Sequence, residues 1–134
     1  MLPTRAVSLP LSHSALVAIG GLVGSVSRYW MSGAVQGFAD HDFPSGTLAV
    51  NILGSFVVAV VMTLSLDRGL IDDDVRILLA TGFCGGFTTM STFSYETLAL
   101  LRDGDQLLAV TNAAASLGAC LGAAWLGTVV ARLV

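Results

Sequence analysis

Long uncharged stretches, separated by short connections rich in aspartate, organise this chain. No Asp, Glu, Lys or Arg occurs from Phe43 to Leu66, from Ile77 to Tyr95 or from Gln106 to Ala131. Each stretch meets the roughly 20 apolar residues that a bilayer-spanning helix needs. A further stretch, about Ala15 to Val35, is broken only by Arg28. The pattern predicts one all-α membrane domain over residues 1–134, with spans at about 15–35, 45–66, 75–101 and 106–132. The connections at Asp40 to Pro44, Asp67 to Asp74 and Asp103 to Asp105 are long enough only to turn, so any function must sit inside the membrane. The first fourteen residues, with one Arg and two prolines, read as a short tail leading into the first span.

The third stretch departs from a uniformly apolar helix. Thr81 to Glu96 packs glycines and hydroxyls at bilayer depth. Non-helical backbone survives there only where protein or a wet cavity satisfies its amides and carbonyls, so the segment predicts a polar site and a small channel or transporter. Four glycine pairs spaced one turn apart, Gly20/Gly24, Gly33/Gly37, Gly82/Gly86 and Gly118/Gly122, allow close approach of neighbouring backbones. A single four-helix chain has little interior in which to hide a polar path, which predicts a homo-oligomer, most simply a dimer.

Charged residues make up 11% of the chain, against about 25% in an ordinary soluble domain. Arginine is present but lysine is not, and the net charge is −3. This balance gives no reason to expect nucleic acid as a partner. Arg5, Arg68, Arg76 and Arg132 fall on the side shared by the N-terminus, the second connection and the C-terminus, against Arg102 opposite. That count favours cytoplasmic termini by a margin thin enough to leave insertion in both orientations open. Cys84 and Cys120 both fall in spans and read as small buried apolar residues.

Several polar side chains have both a packing reading and a functional one. Arg28, followed by Tyr29 and Trp30, is either an interfacial anchor or an attractor of anions at a vestibule. Thr47, Asn51 and Ser55 share one helical face, suited to interhelical hydrogen bonds or to solute contact. Glu96 is the only glutamate. It is a proton carrier, an acceptor that orients nearby hydroxyls, or a mark of where the third span nears water. Asn112 and Ser116, four apart on the last span, could extend a polar strip from Thr47 and Ser91.

Three segments, taken in order, resemble one family. They are Gly20-Gly21-x-x-Gly24-x-x-x-Arg28-Tyr29, Gly46-Thr47-x-x-x-Asn51-x-x-Gly54-Ser55-Phe56 and the run from Gly82 to Glu96 containing Gly85-Gly86-Phe87-Thr88-Thr89-x-Ser91-Thr92-Phe93. Order and spacing are similar to those of the Fluc (CrcB) fluoride channels over essentially the whole chain. The resemblance implies an antiparallel, dual-topology dimer of four-helix subunits in the cell membrane, with the third helix broken. It implies passive export of cytoplasmic fluoride through two pores, which lowers fluoride toxicity and is not enzymatic. It also implies a structural sodium ion between subunits, held by carbonyls that fall on Gly85 and Thr88. Asn51 would face the permeating ion, Ser91, Thr92, Thr47 and Ser116 would supply hydroxyls, and Phe93 would be a pore-facing phenylalanine. Arg28 and Glu96 would support the path.

Met90 departs from the family, which often carries a second phenylalanine there. A ring edge can face an anion without a full charge that would trap it. Methionine lacks that quadrupole but keeps a flexible, polarizable side chain, which predicts a channel with altered rate or affinity. Stripping water from fluoride costs tens of kcal/mol, of that order, unless replacement donors are supplied. Amide and hydroxyl donors suit an ion that must also leave. The rival reading is a proton-coupled small multidrug exporter using Glu96, although its acid lies late in the third span. An inert assembly subunit is a third reading, against which the Gly-Gly-x-Thr-Thr interruption speaks.

Overall fold

The computed structural model describes residues 10–39 and 42–134, all of whose regular elements are helical. Arg5 of the charge count lies outside these residues. Helix α1 is Leu11–Phe38, longer at both ends than the apolar stretch that predicts it. Pro10 sets the start: its φ of −62° suits a helix entrance, and the Ser14 amide bonds to its carbonyl at 3.2 Å. Helix α2, Ser45–Met62, runs on through a wider π-helical turn, Thr63–Asp67. Helix α3 covers residues 73–87 and α4 is Met90–Arg102. Helix α5 is Gln106–Arg132.

Two of these helices are long and apolar enough to cross a bilayer: Ser45–Asp67 at mean hydropathy 2.2 and Gln106–Arg132 at 1.6. They pack chiefly on each other, and α1 packs on α3. Glycine makes the α1–α3 crossing possible. A Cβ at Gly20 would strike the Leu78 carbonyl oxygen, and one at Gly24 the Phe83 carbonyl oxygen. From the other side, a Cβ on Gly82 would lie 3.0 Å from the Gly20 Cα. Backbone therefore lies on backbone, and dispersion across that seam replaces the hydrophobic drive that lipid removes. Gly33, Gly37, Gly118 and Gly122 have open space where a Cβ would stand, so two of the four glycine pairs close helices within the subunit and two face outward.

Helix α3 starts as its sequence requires. The Asp72 side chain accepts the Val75 amide at 2.9 Å, and Asp73 and Asp74 occupy the positively polarised first turn. From Ile77 to Cys84 the helix widens into a π-helix over the glycine crossing. At Thr88 and Thr89 the backbone becomes extended, with ψ of 158° and 112°, before α4 begins. Polar contacts tie one end of the bundle together: His13 with Asp74 at 3.3 Å and the Arg132–Asp67 ion pair at 3.2 Å. The start of α1, the α2–α3 connection and the end of α5 thus share one end, carrying Arg68, Arg76 and Arg132. Exposed pairs of this type stabilise by only about 0–1 kcal/mol each, so their significance is topological.

Candidate functional site: the Thr88–Thr89 interruption

Two extended residues inside an otherwise helical, apolar bundle need partners for their amides and carbonyls. Asn51 on α2 supplies them at Thr89. Its Oδ1 accepts the Thr89 amide at 2.7 Å, and its Nδ2 donates to the Thr89 carbonyl at 3.0 Å. The side-chain amide thus pairs with both backbone groups of one residue as a neighbouring strand would. Gly54, three residues on, makes the room: a Cβ there would strike the Thr88 Cγ2. Both α2 residues are therefore matched to the interruption.

Thr89 is the pivot, and sequence reasoning passed it over in favour of its neighbour Thr88. It caps α4: its hydroxyl accepts the Thr92 amide at 3.2 Å, donates to Thr92 Oγ1 at 3.0 Å and lies 3.2 Å from Ser91 Oγ. The signal was present as Thr-Thr-Met-Ser-Thr, a hydroxyl three residues before another at a helix start. Thr88 instead closes α3, its amide and hydroxyl both donating to the Cys84 carbonyl at 2.9 Å.

This arrangement frees two backbone oxygens. The Thr89 amide goes to Asn51 and the Thr92 amide to the Thr89 hydroxyl. The carbonyls four residues before each, on Gly85 and Thr88, consequently lose their ordinary helical donors. Gly85 is exposed, and a Cβ there would meet nothing. Neutral carbonyls at an unwound helix end fit a hard monovalent cation such as sodium, the donor set that the resemblance assigns.

The interruption separates two cavities. The larger, an open groove of about 540 Å³, is lined by Asn51, Met90, Phe93 and Ser116 together with Gly85 and Thr88. Six of the residues singled out in the sequence therefore meet on one surface. Met90 is 71% exposed, whereas Ser116 is buried with an Oγ that has no hydrogen-bond partner. The smaller cavity, about 200 Å³, is lined by Arg28, Thr47, Thr92, Ser25 and Tyr29. Thr89 lines both.

Glu96 lies beyond the smaller cavity. The Thr47 hydroxyl donates to its Oε1 at 2.8 Å, and its Oε2 is buried without a partner. Ser91 lines neither cavity but touches the Thr89 hydroxyl. Asn112, 1% exposed, donates to Thr97 Oγ1 at 2.9 Å, and Thr97 in turn donates to the Phe93 carbonyl at 2.7 Å. Asn112 thus braces the helix that carries Phe93. The two cavities, lined by Arg28 and Thr47 on one side and by Asn51, Phe93 and Ser116 on the other with Thr89 on both, form a polar seam through an apolar bundle. It offers amide and hydroxyl donors, with Arg28 alone contributing a positive charge among the cavity-lining residues.

Residues 15–128 match the family model for CrcB-like protein, Camphor Resistance (CrcB). A protein of Geobacter metallireducens named fluoride-specific ion channel FluC is 46% identical over 116 residues, covering 87% of this chain and 94% of its own. Proteins of the same name are 49% identical over 109 residues in Pelobacter propionicus, covering 81% and 84% of the two chains. In Chlorobaculum tepidum the identity is 48% over 123 residues, covering 92% and 97%. The matched region runs from α1 into α5 and includes the whole Asn51–Thr89 seam, so the chain belongs to the CrcB family.

Proposed function

We propose that this chain is one subunit of a fluoride-selective channel that lets the cell lose fluoride passively. In this reading the chain crosses the cell membrane four times, with α3 and α4 as the two halves of an interrupted third span. Two copies pair antiparallel, and fluoride moves along the groove past Asn51, Phe93 and Ser116. The observation that carries the reading is the Asn51 amide clasping Thr89 at a helix interruption between two cavities. The naming of the relatives supports it.

The chemistry follows from the donors. A desolvated fluoride needs hydrogen-bond donors in place of water. Asn51 keeps one Nδ2 hydrogen beyond its bond to Thr89, and Ser116 has an unpartnered hydroxyl. The amino-terminal end of α4 adds its positively polarised amides at the interruption. None of these carries a full charge, so the ion is held weakly enough to leave. The Phe93 ring adds an edge of positive character. Met90 presents sulfur where the family often has a second ring, which alters rate or affinity without closing the path.

Gly85 and Thr88 would hold a sodium ion through their freed carbonyls. When bound, that ion would neutralise the carbonyl ends and tie two copies together at the interruption. Glu96, accepting from Thr47, keeps that hydroxyl oriented at the edge of the smaller cavity, a simpler role than the proton cycle of an exporter.

The test is fluoride efflux from liposomes holding only this purified chain, read by a fluoride electrode with chloride efflux in parallel. Rapid fluoride loss without chloride loss is expected. Asn51→Asp should slow it by roughly a hundredfold or more, because a carboxylate cannot donate and places negative charge beside the path. Equal fluoride and chloride rates, or no fluoride release from folded protein, would overturn the reading.

A further inference from the structure

The larger groove gathers sulfur from three elements. Cys84 on α3, Met90 at the start of α4 and Cys120 on α5 all line it, and both cysteines are free. None of its lining residues is charged. Among the described residues no three His, Cys, Asp or Glu side chains gather to hold a metal. Tetrahedral zinc or a hard divalent ion thus finds too few donors, whereas thiolate and thioether sulfur select soft cations. Access differs among the three: Cys84 is 3% exposed, Cys120 is half-buried and Met90 is open. One helical turn before Cys120, Ser116 is 9% exposed and lines the same groove with an unsatisfied Oγ. A buried hydroxyl without a partner is a group that an occupant of the groove would satisfy.

We propose that this groove is also a binding site for a soft, thiophilic monovalent cation of the Cu(I) and Ag(I) type, anchored on Cys120 with the Met90 thioether as second donor, and that its occupation stops conduction. The block rests on reading the groove as the anion path. On binding, the Cys120 S–H bond breaks, a sulfur–metal bond forms and the proton leaves to buffer, with no change of oxidation state. The sulfur–metal pair so formed is neutral, and it stops conduction by filling the groove beside Asn51 and Ser116, where the ion would pass. The substitution at Met90 thereby gives this chain a sensitivity that a phenylalanine would lack.

The experiment uses silver nitrate in chloride-free liposomes. Silver should slow fluoride efflux of the unaltered chain by roughly tenfold or more, dithiothreitol should restore it, and Cys120→Ser should be resistant while Cys84→Ser stays sensitive. In parallel, silver retained by the detergent-purified protein is measured by atomic absorption. One ion per chain is expected, lost in Cys120→Ser. Retained silver in a chain that passes no fluoride would support the site while the channel reading failed. No retained silver, unchanged efflux with silver bound, or full sensitivity in Cys120→Ser would overturn the proposal.

Discussion

At the residue scale, the seam depends on side chains that substitute for missing backbone partners. Asn51 completes the Thr89 peptide and Thr89 caps α4. Thr89→Val keeps the shape but removes the cap, with an expected cost of about 1 kcal/mol, visible as a lower thermal midpoint in detergent. Thr89→Ser should restore most of it. If the valine variant melts with the unaltered protein, the hydroxyl is not a cap that matters. Met90→Phe replaces a thioether with a ring edge in the groove and should change the fluoride efflux rate. Indistinguishable rates would show that position 90 does not face the ion. Asn51 stood out in the sequence because an amide in an apolar span is conspicuous, and Met90 because it departs from the family that the chain resembles. Thr89 did not, because its neighbour Thr88 is the same residue type and only the backbone distinguishes the two.

At the element scale, the α1–α3 crossing is legible from glycine spacing, yet the choice of glycine pairs is not. Gly20, Gly24 and Gly86 meet backbone at distances that no Cβ tolerates, whereas Gly118 and Gly122 meet nothing. Gly24→Val should therefore prevent the helices from closing, giving aggregated protein on size exclusion. Gly118→Val should leave the subunit folded and weaken only its pairing with a second copy. Aggregation of both variants alike would mean that Gly118 is packed against a neighbouring helix rather than facing outward. Helix ends also moved: α1 extends to Leu11 and Phe38 because polar residues near an interface continue a helix that hydropathy stops counting. Asn112→Ala should cost about 1 kcal/mol through the lost bond to Thr97.

At the scale of the whole molecule, the larger groove is open on one side and the glycine pair on α5 points outward. In the proposed antiparallel pairing, a second copy would close that side and bring a second pair of Gly85 and Thr88 carbonyls to the centre. If sodium sits there, exchange into N-methylglucamine buffer should shift the dimer–monomer balance toward monomer at low protein-to-lipid ratio, measured by single-molecule photobleaching. An unchanged balance would remove sodium from the assembly. The shared end carrying Arg68, Arg76 and Arg132, joined through Asp67 and Asp74, makes the orientation question concrete. Proteolysis of vesicle-inserted chains tagged at the C-terminus should cut about half of them if one chain inserts both ways.

Hydropathy and residue spacing determined by themselves that the chain is helical and apolar, that a polar interruption lies within Thr81 to Glu96 and that Asn51 and Ser116 are polar positions in apolar spans, while Phe93 was singled out only through the family resemblance. Those features follow from the bilayer requirement and from the rarity of polar residues in apolar spans. Only the tertiary structure decided that Asn51 is clasped to Thr89 rather than free, that Gly85 and Thr88 lose their helical donors, and that Cys84, Met90 and Cys120 line one groove. The Asn51–Thr89 clasp and the shared groove join residues far apart in the chain. Such pairings depend on how α2, α3, α4 and α5 pack in three dimensions, and residue spacing along one helix shows that a face can be approached closely but not which residues approach it.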